Sequence, residues 1–195
     1  MYKLIAHRGD KQSSKENTLA AFFDAINKDY YGFECDVRMT KDEKFLIYHD
    51  PIYKGKLFKN YFSKDLIKEN IPSLEEVLRM DTHKIIMIDI KDSSLNTDKL
   101  ISLLEKYPDK NIYVMSFYDR IIRKLFTQNR TYKVGILNYV LNTDENHFKY
   151  DFLCILDAII NEKIISDYQN KNKELFIYGV KKEKLKDLYP YYIVD

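Results

Sequence analysis

Two carboxylates stand two residues apart in an apolar stretch near the start of the chain. Residues 31–38 predict a β-strand, in which side chains alternate between the two faces, so Glu34 and Asp36 project to the same side about 7 Å apart. If that face points into the core, an unpaired pair of carboxylates is costly, and a divalent cation held by oxygen atoms is the natural partner. A solvated face is the ordinary alternative for an isolated Glu-x-Asp pair, but this pair is not isolated.

Three more apolar runs, at residues 3–8, 45–49 and 84–91, carry polar side chains where they end. Gly9 permits a sharp exit from the first run, and an Asp-Pro turn follows the second. Four strands that are apolar inside and polar at the same end predict a parallel barrel with its site on the carboxyl-terminal rim. The polar side chains at the ends of these three runs are His7 and Arg8, then His49, then Asp89 and Lys91.

The length and composition predict one globular domain, residues 1–195, with a sizeable core. Of the 195 residues 45% are hydrophobic and 32% charged, and the net charge of +2 gives no support for binding nucleic acid. No targeting segment precedes the first predicted strand, and no apolar stretch approaches 18 residues, so we expect no stable membrane insertion and a cytoplasmic location. The oligomeric state is left open.

The rest of the chain alternates between predicted helices and strands, which indicates a (β/α)8 barrel that is compact, with short or missing helices and no inserted domain. Residues 45–49 are predicted to be its third strand, reached by a crossover without a helix, and residues 52–70 a loop on the rim with one helical turn at 64–68. Nine strand-like runs compete for eight places, so 151–157 or 191–194 is predicted to lie outside the barrel. Helices are predicted at 17–29, after a capping box formed by Ser73 and Glu76, and at 96–107, 119–128 and 158–171.

Six ordered segments of the chain resemble the glycerophosphodiester phosphodiesterase family. They are Ile5-Ala-His7-Arg8-Gly9, Glu16-Asn17-Thr18-Leu-Ala-Ala-Phe22, Glu34-Cys-Asp36-Val37-Arg-Met-Thr40, His49-Asp50, Ile71-Pro72-Ser-Leu74-Glu75-Glu76 and Asp89-Ile-Lys91. The likeness covers residues 5 to 91 well and thins beyond them, to Ser116-Phe117, Tyr178-Gly179-Val180 and a final Ile193-Val194-Asp195. It implies a TIM barrel that hydrolyses a small-molecule glycerophosphodiester with the help of one divalent cation.

The resemblance and the side-chain chemistry together predict a role for each site residue. Three carboxylates at strand ends suit Mg²⁺ or Ca²⁺, with Mn²⁺ a further candidate, and two imidazoles can take and give the protons that phosphodiester cleavage moves. The family usually has Glu where this chain has Asp89, which is one methylene shorter; pairing with Lys91 is the structural alternative for Asp89. The predicted metal ligands are Glu34, Asp36 and Asp89; the acid and base are His7 and His49; and the phosphate or substrate ligands are Arg8, Lys91, Glu16 and Asn17.

Two of these assignments carry alternatives, and so does the function. Glu16 either orients Arg8 or lies near the metal, and Asn17 either caps the first helix or reaches a phosphate or glycerol oxygen. The leading function is hydrolysis to glycerol 3-phosphate and an alcohol. A lyase of the sphingomyelinase D kind, which forms a cyclic phosphate, and a catalytically inactive binding or regulatory module are the other two hypotheses.

Overall fold

Eight parallel strands close into a barrel, which confirms the predicted fold class. The computed structural model describes residues 3–139, 148–180, 185 and 191–195. Around the barrel the strand order is β1-β2-β6-β7-β8-β9-β10-β11, and β1 pairs with both β2 and β11 to close it. The barrel strands are β1 (Lys3–Ala6), β2 (Gly32–Met39), β6 (Ile85–Ile90), β7 (Ile112–Ser116), β8 (Lys133–Asn138), β9 (Phe152–Leu156), β10 (Glu174–Tyr178) and β11 (Tyr191–Val194).

The remaining strands, β3 (Phe45–Ile47), β4 (Ile52–Tyr53) and β5 (Lys56–Leu57), lie outside the barrel, so the predicted place of residues 45–49 was wrong. β3 runs antiparallel to the end of β2, with Met39 opposite Phe45 and Val37 opposite Ile47. A parallel neighbour needs a crossover of a dozen or more residues, and the short connection 40–44 leaves only a hairpin. The hairpin returns the chain to the level of Asp36, whose carbonyl oxygen accepts a hydrogen bond from the backbone N–H of Tyr48 at 2.9 Å.

The prediction that residues 151–157 or 191–194 lie outside the barrel was also wrong. β9 pairs with β8 and β10, and β11 pairs with β10 and β1, so both belong to the closed sheet. The surplus run is β3. Composition could not separate these runs, because all three are short, apolar and buried.

The helices of the described residues lie close to their predicted positions. The capping box is confirmed: the Ser73 hydroxyl accepts from the N–H of Glu76, and the Glu76 carboxylate accepts from the N–H of Ser73 at 2.8 Å. The predicted helix 158–171 starts later, because the short 3₁₀ turn Asp157–Ile159 precedes it and Asn161 caps it. The helices are α1 (Leu19–Asn27), α2 (Ser63–Ile67), α3 (Leu74–Leu78), α4 (Thr97–Leu104), α5 (Asp119–Phe126) and α6 (Glu162–Asn170).

The predicted rim loop, residues 52–70, is folded rather than open, and we call it the rim segment. It contains the β4–β5 hairpin, the 3₁₀ turn Phe58–Asn60 and α2. Phe58 and Leu66 are buried against Leu46 of β3, so the rim segment has a small core of its own. The sequence also predicts a short segment at residues 182–189, before the last strand. It lies almost entirely outside the described residues.

The barrel holds apolar side chains on both faces of its sheet, as parallel strands covered by helices require. One cluster fills the interior, where Phe152, Phe176 and Tyr191 stack; another lies between the sheet and α1, α3, α4 and α5. Gly135 of β8 leaves space for the ring of Phe152, because a Cβ at position 135 would stand 2.4 Å from that ring. Among the described residues no helix has the length and apolar character needed to cross a membrane.

Candidate active site at the carboxyl-terminal rim

Three buried carboxylates meet inside the barrel at its carboxyl-terminal end. Asp36 of β2 is the register partner of Asp89 of β6, and Glu34 precedes Asp36 by two residues on the same face. One oxygen atom from each of Glu34, Asp36 and Asp89 lies within 4.8 Å of the others. The sequence therefore predicted this cluster correctly, and the shorter side chain of Asp89 still reaches it.

Two cations lie among these carboxylates. Lys91 Nζ is 2.5 Å from Asp89 Oδ2 and 3.0 Å from Asp36 Oδ1, and Arg8 Nε is 3.0 Å from Asp36 Oδ2. Both the metal-ligand prediction for Asp89 and its alternative, pairing with Lys91, therefore have a contact in the structure. Three carboxylates face two cations, so the cluster as a whole is deficient in positive charge when all its groups are ionised.

Burial is the largest single influence on the pKa of each carboxylate in the cluster. It raises the pKa of Glu34 well above its usual value, and the charges of Asp36 and Asp89 raise it further. Burial likewise raises the pKa of Asp89, to about 6, although Lys91 opposes the shift. For Asp36 burial is outweighed by Lys91, Asn17 and Arg8, and its pKa is lowered. The cluster thus stabilises one carboxylate and leaves two in need of a proton or a cation.

Two carboxylate oxygens in the cluster have no hydrogen-bond donor among the described residues. They are Asp36 Oδ1 and Asp89 Oδ1, both buried. Lys91 lies near the Asp36 oxygen, but that contact lacks hydrogen-bond geometry. Buried acceptors are almost always satisfied, so Asp89 Oδ1, together with an Asp36 Oδ1 that only Lys91 approaches among the described residues, indicates a ligand position. Hard oxygen donors of this kind fit Mg²⁺ or Ca²⁺.

Asn17 holds Asp36 in place instead of capping the first helix. Its amide nitrogen donates to Asp36 Oδ2 at 2.7 Å, and its amide oxygen accepts from the backbone N–H of Asp36 at 3.2 Å. The capping alternative was wrong, because Thr18 is the N-cap of α1 and accepts from the N–H of Ala21. Asn17 has a positive φ of 56°, a conformation that asparagine tolerates better than most residues.

The turn after β1 aims Arg8 into the cluster. Arg8 has a φ of 58°, its backbone N–H donates to Glu34 Oε2 at 3.0 Å, and its guanidinium donates to Glu16 Oε1 at 3.0 Å. Gly9 follows with a φ of 83°, and a Cβ there would stand 2.7 Å from that of Ala21. Of the two alternatives for Glu16, the structure shows the contact with Arg8.

His7 lies between Glu34 and a residue that sequence reasoning had not assigned to the site. Its Nδ1 is 2.6 Å from Asp195 Oδ1, and its Nε2 is 4.0 Å from Glu34 Oε2. Burial lowers the pKa of His7, against the opposite effect of Asp195. Hydrogen bonds from Lys11 and His7 outweigh burial and hold the pKa of Asp195 at about 2. Asp195 directly follows β11, so the strand-end rule that found the other residues applies to it as well.

His49 reaches the same end of the barrel from the β2–β3 hairpin. Its Nδ1 is 2.8 Å from Asp50 Oδ1, and its carbonyl oxygen accepts from Arg38 Nε at 2.8 Å. His49 lines the same cavity as Asn17, the residue that holds Asp36. Arg38, buried and paired with Asp92, was not predicted; a long cation within a buried strand is the signal that could have found it.

A cavity of about 500 Å³ opens beside these residues. Glu16 and Asn17 line one side, and Tyr48, His49 and Tyr53 line another. On the far side of the barrel mouth the rings of Phe117 and Tyr139, which follow β7 and β8, lie 5.2 Å apart and largely exposed. Through Asn17, which lines the cavity and holds Asp36, a space with room for a polar organic group lies next to the carboxylate cluster.

Fold and site together define a TIM-barrel protein with a charged pocket on its carboxyl-terminal rim. Residues 7–195 match the Glycerophosphoryl diester phosphodiesterase family, and the chain belongs to that family. It is similar to the glycerophosphodiester phosphodiesterase of Caldanaerobacter subterraneus subsp. tengcongensis, at 30% identity over 159 residues, which cover 69% of this chain and 65% of that protein. To the enzyme of the same name from Bacillus altitudinis it is 35% identical over 115 residues, 48% of this chain and 46% of that protein. The chain thus spans less than two thirds of the length of these relatives.

Solved structures resemble the whole described fold. A glycerophosphodiester phosphodiesterase from Thermotoga maritima aligns with a TM-score of 0.82 at 24% identity, covering 100% of this chain and 94% of that one. A phosphodiesterase from Oleispira antarctica, in complex with the product sn-glycerol-3-phosphate, aligns at 0.84 and 17% identity, covering 98% and 92%. At these identities the likeness establishes the fold alone.

Proposed function

We propose that the chain hydrolyses a glycerophosphodiester to glycerol 3-phosphate and an alcohol, with the help of one divalent cation. The single observation that carries this proposal is the buried cluster of Glu34, Asp36 and Asp89, in which Asp36 Oδ1 and Asp89 Oδ1 accept no hydrogen bond from the described residues. Family membership over residues 7–195 supports the reaction class, and the product in the Oleispira antarctica relative supports the substrate class. The barrel uses residues from 3 to 194, which supports one domain over 1–195. A cytoplasmic location stays a prediction.

Glu34, Asp36 and Asp89 are the residues we propose as cation ligands. The deficit of positive charge in the cluster and the raised pKa values of Glu34 and Asp89 support a dication at this position. When bound, a divalent cation supplies positive charge that polarises a phosphoryl oxygen and offsets the charge that develops in the transition state. Mg²⁺ and Ca²⁺ both suit oxygen ligands, and Mn²⁺ is the next candidate.

His7 and His49 are proposed as the base and the acid. With Nδ1–H donating to Asp195, His7 presents the lone pair of Nε2 and can accept a proton from the attacking water molecule. His49, held by Asp50 and Arg38, is then the proton donor to the departing alkoxide. One phosphorus–oxygen bond forms and another breaks, and the proton that His7 takes is matched by the one that His49 gives.

Arg8 and Lys91 are proposed to attract the phosphate, each from a fixed position. Arg8 is held by Glu16 and Asp36, and Lys91 by Asp36 and Asp89, so neither has to be ordered when substrate arrives. Asn17 acts through Asp36, which it clamps from two sides. The cavity beside His49 has room for the glycerol or the alcohol.

The test is release of glycerol 3-phosphate from a panel of soluble glycerophosphodiesters with Mg²⁺, Mn²⁺ or Ca²⁺, before and after chelation. We expect activity that chelation abolishes and that added cation restores. Phosphorus NMR of the products separates hydrolysis from the lyase alternative, because a cyclic phosphate has its own resonance. Full turnover in excess chelator by a protein without bound metal would exclude the cation site, and inactivity on every diester would favour the binding module.

A further inference from the structure

An exposed apolar pair projects from the rim segment, three residues beyond His49. β4 and β5 form a hairpin whose two turn residues, Lys54 and Gly55, both have positive φ, as the tightest hairpin turns require. Ile52 and Leu57 are direct partners in this hairpin, so their side chains share one face. That face is open to solvent: Ile52 is 53% and Leu57 43% exposed.

The hairpin is held firmly, so this exposure does not come from a loose loop. On its other face Tyr53 packs edge-on against Tyr48 and Tyr61, and the Tyr61 hydroxyl donates to the Tyr53 carbonyl oxygen at 2.9 Å. The N–H of Phe58 donates to the carbonyl oxygen of Pro51, which closes the base of the hairpin. A rigid support thus presents two apolar side chains to the outside.

More apolar side chains of the rim segment and the barrel mouth are exposed. Phe62 and Ile67 are 43% and 45% exposed, while their neighbours Phe58 and Leu66 are buried. Of the nine large apolar or aromatic side chains that are exposed in the described part of the chain, seven belong to the rim segment or directly follow β7 or β8. Single exposed apolar residues are ordinary, but such a concentration indicates an interaction surface. The seven are Ile52, Leu57, Phe62, Ile67, Phe117, Tyr118 and Tyr139.

The charge of the rim segment indicates the partner. Residues 52–70 contain five lysines and two acidic residues, a net charge of +3, whereas the whole chain has +2. All five lysines are exposed, and the ammonium groups of Lys41 and Lys64 lie over the exposed ring of Phe62 at 5.1 and 5.9 Å. Apolar side chains surrounded by lysines match a surface that offers anionic groups above an apolar layer. The five are Lys54, Lys56, Lys59, Lys64 and Lys68.

We propose that the rim segment docks on an anionic lipid surface, with Ile52 and Leu57 entering the interface and the lysines contacting lipid phosphates. Tyr53 of the same hairpin lines the cavity beside His49, so docking brings the mouth of the site to the bilayer. Binding itself requires no turnover.

Flotation of the full chain with lipid vesicles tests the proposal. The probes are vesicles of phosphatidylcholine alone and of equal parts phosphatidylcholine and phosphatidylglycerol, each in 50 mM and 500 mM salt, concentrations that change screening severalfold. We expect binding to the anionic vesicles at low salt, with weaker binding at high salt or without phosphatidylglycerol. The double variant Ile52→Ser, Leu57→Ser should bind at least about tenfold more weakly. Phe23→Ser, which removes a side chain that is 61% exposed on α1, is the matched control and should bind like the parent.

Several results would overturn the proposal. One is failure of the parent to float with anionic vesicles, and another is a double variant that floats as well as the parent does. A parent that is dimeric in solution and becomes monomeric in the double variant would identify the patch as a self-contact instead. Because these outcomes involve no catalysis, they are separate from failure of the proposed hydrolysis. In an active protein, the double variant should keep the parental rate on a soluble diester.

Discussion

Both ends of the barrel hold a cluster of polar groups, but the cluster at the amino-terminal end is partly exposed and balanced in charge, whereas the carboxylates at the carboxyl-terminal end are buried and short of positive charge. At the amino-terminal end Lys133 Nζ donates to Glu174 Oε2 at 2.6 Å and to the Tyr113 hydroxyl at 2.8 Å, and that hydroxyl donates to Glu174 Oε1 at 3.1 Å. One positive and one negative charge meet there with their partners. At the carboxyl-terminal end three carboxylates meet two cations, and two of the carboxylate oxygens accept no hydrogen bond from the residues that the structure describes.

The comparison distinguishes the polar cluster at the amino-terminal end, which stabilises the fold, from the cluster at the carboxyl-terminal end, where we propose the function. In a closed barrel either end can bury charge, so burial and charge by themselves do not identify a site. The pKa values make the same distinction: at the amino end Glu174 helps to keep the pKa of Lys133 raised in spite of burial, whereas at the carboxyl end burial raises the pKa of Glu34 and Asp89. The two ends should therefore respond in opposite ways to loss of a carboxylate.

The largest expected effect follows from Glu34→Gln. The amide can still accept from the N–H of Arg8, but it removes a negative charge from the proposed cation site, and we expect kcat to fall by about 10³-fold. Without cation the same variant should be at least as stable as the parent at neutral pH, because the raised pKa of Glu34 means that its ionised form opposes folding. Steady-state kinetics and urea unfolding in chelator measure the two quantities. Loss of stability with unchanged kcat would make Glu34 a structural residue.

The parts of this site that sequence predicted share one property, which is proximity to the end of an apolar strand. Glu34, Asp36, Asp89 and Lys91 follow from the alternation of β2 and β6, and parallel pairing brings their ends together. His7 belongs to the same rule. The register that places Asp36 beside Asp89 could not be predicted, because the sequence of a strand does not show which residues of the neighbouring strand lie opposite it.

Three features did not follow from the apolar pattern of the strands. The direction of β3 depends on a comparison of connection lengths rather than on the apolar pattern, and β3 was therefore assigned to the barrel. Asp195 lies 188 positions from His7, and only closure of β11 against β1 brings them together. Asn17 was missed as a clamp because a residue before a helix is first considered as a cap.

The second prediction concerns pH and uses the protein without cation. Asp89 has a pKa of about 6 in the folded state, above its unfolded value near 3.9, so its contribution favours folding at low pH and is lost as pH rises from about 4 to 6. The loss is on the order of 2–3 kcal/mol of unfolding free energy. Denaturant titrations between pH 4 and 7 should show it in chelator and show much less in Asp89→Asn. An identical pH dependence in parent and variant would contradict the assignment.

The third prediction tests the two imidazoles. His7→Ala and His49→Ala should each lower kcat by about 10²-fold, the amount that one general acid or base contributes, with an unchanged unfolding midpoint. Asp195→Asn should produce a smaller loss in kcat than His7→Ala and should add little to it in the double variant, because Asp195 acts through His7. His83, exposed in the connection before β6, provides the control: His83→Ala should keep parental kcat. A histidine variant with parental kcat would show that the histidine is not catalytic.

The smallest effect is expected at the amino-terminal end and completes the comparison. Glu174→Gln removes the only negative charge among Lys133, Tyr113 and Glu174 but keeps an oxygen that can accept a hydrogen bond. Because Lys133 and Glu174 are partly exposed, solvent screens the pair, and the loss of unfolding free energy should be about 1 kcal/mol. The kinetic constants should not change, since this cluster lies at the opposite end of the barrel from the site. Urea unfolding beside steady-state kinetics gives both values. If Glu174→Gln lowered kcat while Glu34→Gln left it unchanged, the functional role would belong to the amino-terminal end and the structural role to the carboxyl-terminal end.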